Sequence, residues 1–162
     1  MLVVIGGVSG AGKTTVGRLL AERLALPFFD GDDFHPASNV EKMANGIPLN
    51  DKDRMPWLEA LAGKLDDWQT KGGAVLACSA LKEEYRATLQ SRCSEPLRWI
   101  ILVGSDKLLA ERLTSRKGHY FDPSLLRSQL NALDIPDYGW QIDIDATPDE
   151  IVKNILERFH ST

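Results

Sequence analysis

Two cysteines, Cys78 and Cys93, are too few to staple a fold of 162 residues. Cys78 lies inside the apolar run AVLACSA, which reads as a buried strand. Reduced thiols in a cytoplasmic protein are therefore expected, not a disulfide. No stretch reaches the roughly 20 apolar residues that a membrane-spanning helix needs. The chain passes from Met1 straight into LVVIGG without a basic leading segment, so no signal peptide is expected. Basic residues are scattered and the net charge is −4, which gives no footprint for nucleic acid. Repeats, low-complexity tracts and linker-like stretches are missing as well. One globular domain covering 1–162 is the expectation.

What is present is a regular alternation. Strand-length apolar runs are predicted at 2–5, 27–29, 74–78, 98–103 and 141–144. Helical spacing is predicted over 13–25, 37–45, 56–70, 81–91, 106–116, 123–133 and 149–159. Pro56 is read at the first turn of its helix, and Thr147-Pro148 as the entry to the last one. In the 56–70 segment Trp57, Leu58, Leu61, Leu65 and Trp68 share a face, so the tryptophans are read as core. Strands alternating with helices pair in parallel through right-handed crossovers. The fold class is therefore α/β, a three-layer arrangement with a five-stranded parallel sheet flanked by helices.

Residues 7–14 read GVSGAGKT and fit G-x-x-x-x-G-K-[ST] between a predicted strand and a predicted helix. Gly7, Gly10 and Gly12 permit the backbone angles that turn successive N–H groups onto phosphate oxygens. The helix start adds the positive end of its dipole. Gly7, Val8, Ser9, Gly10, Ala11, Gly12, Lys13, Thr14 and Thr15 form the expected nucleotide-binding set. Lys13 is expected to bridge the β- and γ-phosphates, and the Thr14 hydroxyl to hold Mg²⁺. The motif specifies a nucleoside triphosphate without specifying the reaction. No NKxD-like guanine reader is found, and no apolar strand ends in a Walker-B aspartate, since the third ends in Cys78-Ser79. Both absences weigh against a nucleotide switch.

The missing carboxylate is sought at DGDDFHP, residues 30–36, directly after the second strand. Ligands of open parallel sheets bind beyond the carboxyl ends of the strands, so this cluster and the phosphate loop open onto one rim. Asp30 is assigned to the Mg²⁺ shell, directly or through water. Asp32 is assigned to the acceptor hydroxyl, whose proton a carboxylate can take. Asp33 is read as a solvated loop acid. His35 is either a hydrogen-bonding loop residue or a substrate contact, and Ser79 either a phosphate neighbour or a helix N-cap.

The segments DGDDFHPASNVEKMANGIPLNDKDRMPWL, CSALKEEYR and SRKGHYF resemble the gluconate kinases, small P-loop enzymes with a shikimate-kinase-like fold. The likeness runs from the first strand to the last helix. It implies transfer of the γ-phosphoryl of ATP to the 6-hydroxyl of D-gluconate, dependence on Mg²⁺ and a homodimer. A shikimate or nucleoside kinase is the nearer alternative, disfavoured by the long DGDDFHP…PLNDKDRMPW insert. A sugar acid needs cations for its carboxylate, and the segments that carry the resemblance contain Arg54, Lys82 and Arg86. Arg86, four residues after Lys82, is expected on the same helix face. For Arg54 and Arg86 the alternative is pairing with neighbouring acids. The substrate-binding helical region is expected at about 35–70.

The fold also implies a mobile lid, expected at about 112–124. Within it Arg116 is expected to neutralise charge on the transferring group, and Arg112 to stack on adenine. Both could instead pair with Glu111 and its neighbours. His119 is either a substrate or lid contact or a plain loop residue. The loop 145–148 is expected at the adenine edge by fold analogy.

Overall fold

The computed structural model describes residues 1–114 and 123–161. Among them, β1 (Leu2–Gly6), β2 (Phe28–Asp30), β3 (Ala74–Ala77), β4 (Arg98–Val103) and β5 (Trp140–Asp143) form one parallel sheet in the order β2-β3-β1-β4-β5. The helices are α1 (Lys13–Leu24), α2 (Ala37–Ala44), α3 (Asp51–Thr70), α4 (Glu83–Gln90), α5 (Asp106–Thr114), α6 (Pro123–Ala132) and α7 (Pro148–His160). α1 packs on α7 and α3 packs on α4. Right-handed crossovers put these pairs on opposite faces of the sheet, giving the three layers.

β1 and β3 are buried along their whole length, so both read as continuous apolar runs. The core they anchor runs from Leu2 to Ile155 in sequence and includes Trp57, Leu61 and Leu65 from α3. Trp57 and Trp68 lie inside as expected. Cys78 and Cys93 are both free thiols. Burial pushes the Cys78 thiol up to about 12, so it is protonated and unreactive despite lining the central cavity. None of the described helices is long and apolar enough to cross a membrane.

Two local expectations are corrected. α3 begins at Asp51, not at 56. Asn50 accepts from the Asp53 N–H at 2.8 Å, and Asp53 accepts from the Asn50 N–H at 3.1 Å. This reciprocal box satisfies two donors that a helix start leaves orphaned and stabilises it by about 1 kcal/mol. It carries the helix through Pro56, which therefore sits inside α3. The signal was in the sequence as N-D-K-D ahead of the proline. Secondly, α4 begins at Glu83 with Lys82 as its N-cap residue, so Ser79 does not cap it.

Candidate active site

The loop after β1 takes the form its glycines permit. Gly7, Gly10 and Gly12 all have positive φ, at 138°, 84° and 93°. A Cβ on Gly7 would stand 2.8 Å from the Leu102 carbonyl oxygen, so the turn leaves no room for a side chain. The Gly7 N–H donates to Ser79 O at 3.2 Å, tying this loop to the end of β3. Lys13 Nζ donates to Val8 O at 3.0 Å across the loop it closes. Lys13, Thr14 and Thr15 head the α1 helix, with the phosphate loop's N–H groups at its positive end.

One strand further out, β2 delivers Asp30 to the same rim. The Thr14 hydroxyl donates to Asp30 Oδ2 at 3.0 Å, and Asp30 Oδ1 accepts from the Asp32 N–H at 3.0 Å. Asp30 is thus held by both its oxygens between the phosphate loop and the acidic turn. That turn is one turn of 3-10 helix, Gly31–Phe34. It can approach β3 because residue 31 is glycine: a Cβ there would meet Ala77 O at 2.8 Å. Trp57 fixes it from α3, its indole N–H donating to Gly31 O at 2.7 Å. Trp57 was expected only as core packing. It also anchors the acidic turn.

Asp32 keeps 79 % of its side chain accessible and opens into the cavity. The surrounding cleft still strips water from it. That desolvation, followed by the Asp30 charge, raises its pKa, while Lys13 pulls in the opposite direction. Asp33 is exposed, as expected. The side chain of His35 is only 3 % accessible and stacks on Trp57 with ring centroids 4.1 Å apart. Burial, then the nearby Arg54 charge, lowers its pKa to about 4, so the ring is neutral at pH 7.

Thr14, Asp30, Asp32, His35, Arg54 and Ser79 line one cavity together with the glycine loop. Arg54 is positioned by Tyr85 of α4, donating to its hydroxyl at 3.2 Å and lying over its ring. Tyr85 in turn donates to Asp51, and Lys82 Nζ contacts the same carboxylate at 3.3 Å. Those contacts hold the Asp51 carboxyl below its usual range, the tyrosine hydrogen bond contributing most.

Two predicted substrate cations are not brought to this cavity. Lys82 is committed to Asp51 and the face of Tyr85. Arg86 is buried: its Nη1 donates to Ala80 O at 2.8 Å, its Nη2 to Asp134 O at 2.7 Å, and its Nε to Glu83 and Tyr138. A saturated guanidinium under a loop is a structural bolt, not a carboxylate receptor. Because Lys82 precedes the first turn of α4, the two do not share a helix face. Arg112 lines a second cavity beside Gly10, Gly12, Pro148 and Ile151, and its Nη2 donates to Ile144 O at 2.6 Å. This brings Arg112 beside the expected adenine loop. Arg116 and His119, with most of the expected lid, lie outside the described residues.

Sequence reading missed two residues. Asn39 is buried on α2 and donates to His35 and to Asp53 O. Gln129 of α6 grips the phosphate loop, accepting from the Ser9 N–H at 2.7 Å and donating to Ser9 Oγ at 3.0 Å. Asn39 could have been found as a polar residue one helical turn after His35. Gln129, 120 residues from its partner, left no local signal.

Oxygen donors from Thr14 and Asp30 suit a hard cation such as Mg²⁺. No group of three or more His, Cys, Asp or Glu side chains suited to a metal occurs among the described residues.

The shikimate kinase family matches residues 9–133. The chain is 44% identical over 170 residues to a probable gluconokinase of Dictyostelium discoideum, covering 96% of this chain and 84% of that one. It is 41% identical to the gluconokinase of Gluconobacter oxydans (strain 621H), covering 98% and 91%. The crystal structure of a gluconokinase from Sinorhizobium meliloti 1021 superposes with a TM-score of 0.89 at 40% identity, covering 96% of this chain and 89% of that chain. With a phosphate loop, an acidic turn on the same rim and this likeness over nearly its whole length, the chain belongs to the gluconokinases of the shikimate-kinase-like P-loop fold.

Proposed function

We propose that this protein transfers the γ-phosphoryl group of ATP to the 6-hydroxyl of D-gluconate, giving 6-phosphogluconate and ADP. The observation that carries the reading is the Thr14–Asp30 hydrogen bond, with Asp32 following in the same cavity. It joins the phosphate loop to a carboxylate turn suited to an alcohol.

In this reading the N–H groups of the glycine loop and Lys13 hold the triphosphate. Thr14 and Asp30 would hold Mg²⁺, which would supply charge neutralisation at the phosphates. Asp32 orients the attacking hydroxyl and takes its proton, and its raised pKa makes it a better base than an ordinary aspartate. Arg54, steadied by Tyr85, meets the substrate carboxylate, and His35 contacts a substrate hydroxyl. Arg112 lies against adenine. Arg116 is assigned to charge neutralisation on the transferring group, and His119 to the substrate, from the family resemblance. The resemblance also suggests a homodimer, which sedimentation would test. Free thiols suit a reducing compartment such as the cytoplasm.

The test is ADP release with gluconate, shikimate, glucose and nucleoside monophosphates as acceptors. Turnover with gluconate alone is expected. Turnover with shikimate or a nucleotide and none with gluconate would overturn the assignment.

A further inference from the structure

His35 and Asp32 face each other across the acceptor end of the cavity, with Nε2 3.8 Å from Oδ1. What they can recognise depends on which imidazole nitrogen carries the proton, and the neighbouring α2 helix decides that. Asn39 is 2 % accessible, and its Nδ2 makes two contacts. One, at 2.8 Å, is to Asp53 O, a carbonyl that can only accept. The amide orientation is therefore fixed, since flipping it would set two carbonyl oxygens against each other. The second, at 3.2 Å, is to His35 Nδ1. An amide nitrogen only donates, so Nδ1 must offer its lone pair. In a neutral ring the proton then sits on Nε2.

We infer that Asn39 is a positioning residue that locks His35 in its Nε2–H tautomer, so that His35 and Asp32 present a donor and an acceptor side by side to one substrate hydroxyl. Asp32 and the Arg54 guanidinium are charged groups near the ring, while Asp53, reached through Asn39, has its carboxylate engaged by Lys42 at 2.9 Å. A hydroxyl can accept from Nε2–H and donate to the carboxylate at the same time. A ketone or aldehyde oxygen can only accept, and would turn a lone pair toward Asp32. In the opposite tautomer both protein groups would be acceptors, and a single hydroxyl proton could satisfy only one of them. The arrangement thus selects an alcohol over its oxidised counterpart at that carbon. It rests on the reading of gluconate as the acceptor.

The tautomer is measurable without substrate. Long-range ¹H–¹⁵N correlation on the full ¹⁵N-labelled chain, with His35→Phe identifying the resonance among the three histidines, reports both ring nitrogens. At pH 7 Nδ1 is expected in the unprotonated range and Nε2 in the protonated range. In Asn39→Asp the carboxylate accepts from Nδ1–H, so the protonated nitrogen changes. The KM for gluconate should then rise roughly tenfold, the worth of one hydrogen bond, with the KM for ATP unchanged. A wild-type ring protonated on Nδ1 overturns the inference whether or not the variant folds. So does an Asn39→Asp protein whose ring pattern or gluconate KM is unaltered. Failure to phosphorylate gluconate with the Nε2–H tautomer in place would instead sink the function assignment and leave the lock standing.

Discussion

The two ends of the cavity are built from different materials. The nucleotide end is mainly backbone: a loop whose N–H groups converge because three glycines adopt positive φ, closed by the Lys13–Val8 contact. The acceptor end is side chains held by other side chains: His35 by Trp57 and Asn39, Arg54 by Tyr85, and Tyr85 by Asp51. Backbone recognition suits a phosphate that is the same in every nucleotide. Side-chain recognition suits an acceptor that must be told from its relatives. The nucleotide end should therefore resist substitution by geometry, and the acceptor end should respond to each partner separately.

The sharpest way to separate the two ends is Asp32→Asn. Initial-rate kinetics should show kcat falling by about 10²–10⁴-fold with the KM for ATP little changed. Comparable losses in both parameters would mean that the ends are not independent. Next in size is Arg86, which belongs to neither end. Arg86→Met orphans the buried Ala80 O, removes the donor to Asp134 O and should cost about 3 kcal/mol in urea unfolding. Arg86→Lys should not restore it, because an ammonium cannot reproduce the planar fork. Unchanged stability, combined with a raised KM for gluconate, would return Arg86 to the substrate.

His35 gives the acceptor end a pH dependence. Its native pKa of about 4 lies below the usual 6.5. Below pH 6.5 the unfolded chain takes a proton that the native ring refuses. This contribution is present above pH 6.5 and is lost as pH falls toward 4, by roughly 3 kcal/mol at most. Unfolding across that window should be flatter in His35→Phe, which keeps a ring against Trp57. The smallest effect belongs to Arg54→Ala. It should raise the KM for gluconate about tenfold with little change in melting temperature, since a hydrogen-bonded charge at an open cavity contributes on the order of 1–3 kcal/mol to binding.

The same contrast explains what could be read from the chain. GVSGAGKT is legible because backbone geometry needs particular residues at adjacent positions, and Asp30 and Asp32 followed from their place after β2. The sheet and the helix order were legible because β1, β3 and β4 are nearly continuous apolar runs. Arg86 could not be placed, because an arginine that binds a carboxylate and one that bolts a loop look alike until their partners are known. Those partners, at 80, 83, 134 and 138, come from separate segments. Gln129 was beyond reach for the same reason. The start of α3 was legible in principle, but Pro56 outweighed the N-D-K-D box that precedes it.

The stack of His35 on Trp57 has an optical consequence. An indole fixed through its N–H to Gly31 O, with an imidazole ring 4.1 Å away, is a fluorophore beside a potential quencher. Charging or displacing that ring changes the emission of one tryptophan among four, and Trp57→Phe identifies its share. The acceptor end therefore carries its own reporter, through which occupancy by a sugar acid can be followed without turnover and without a label.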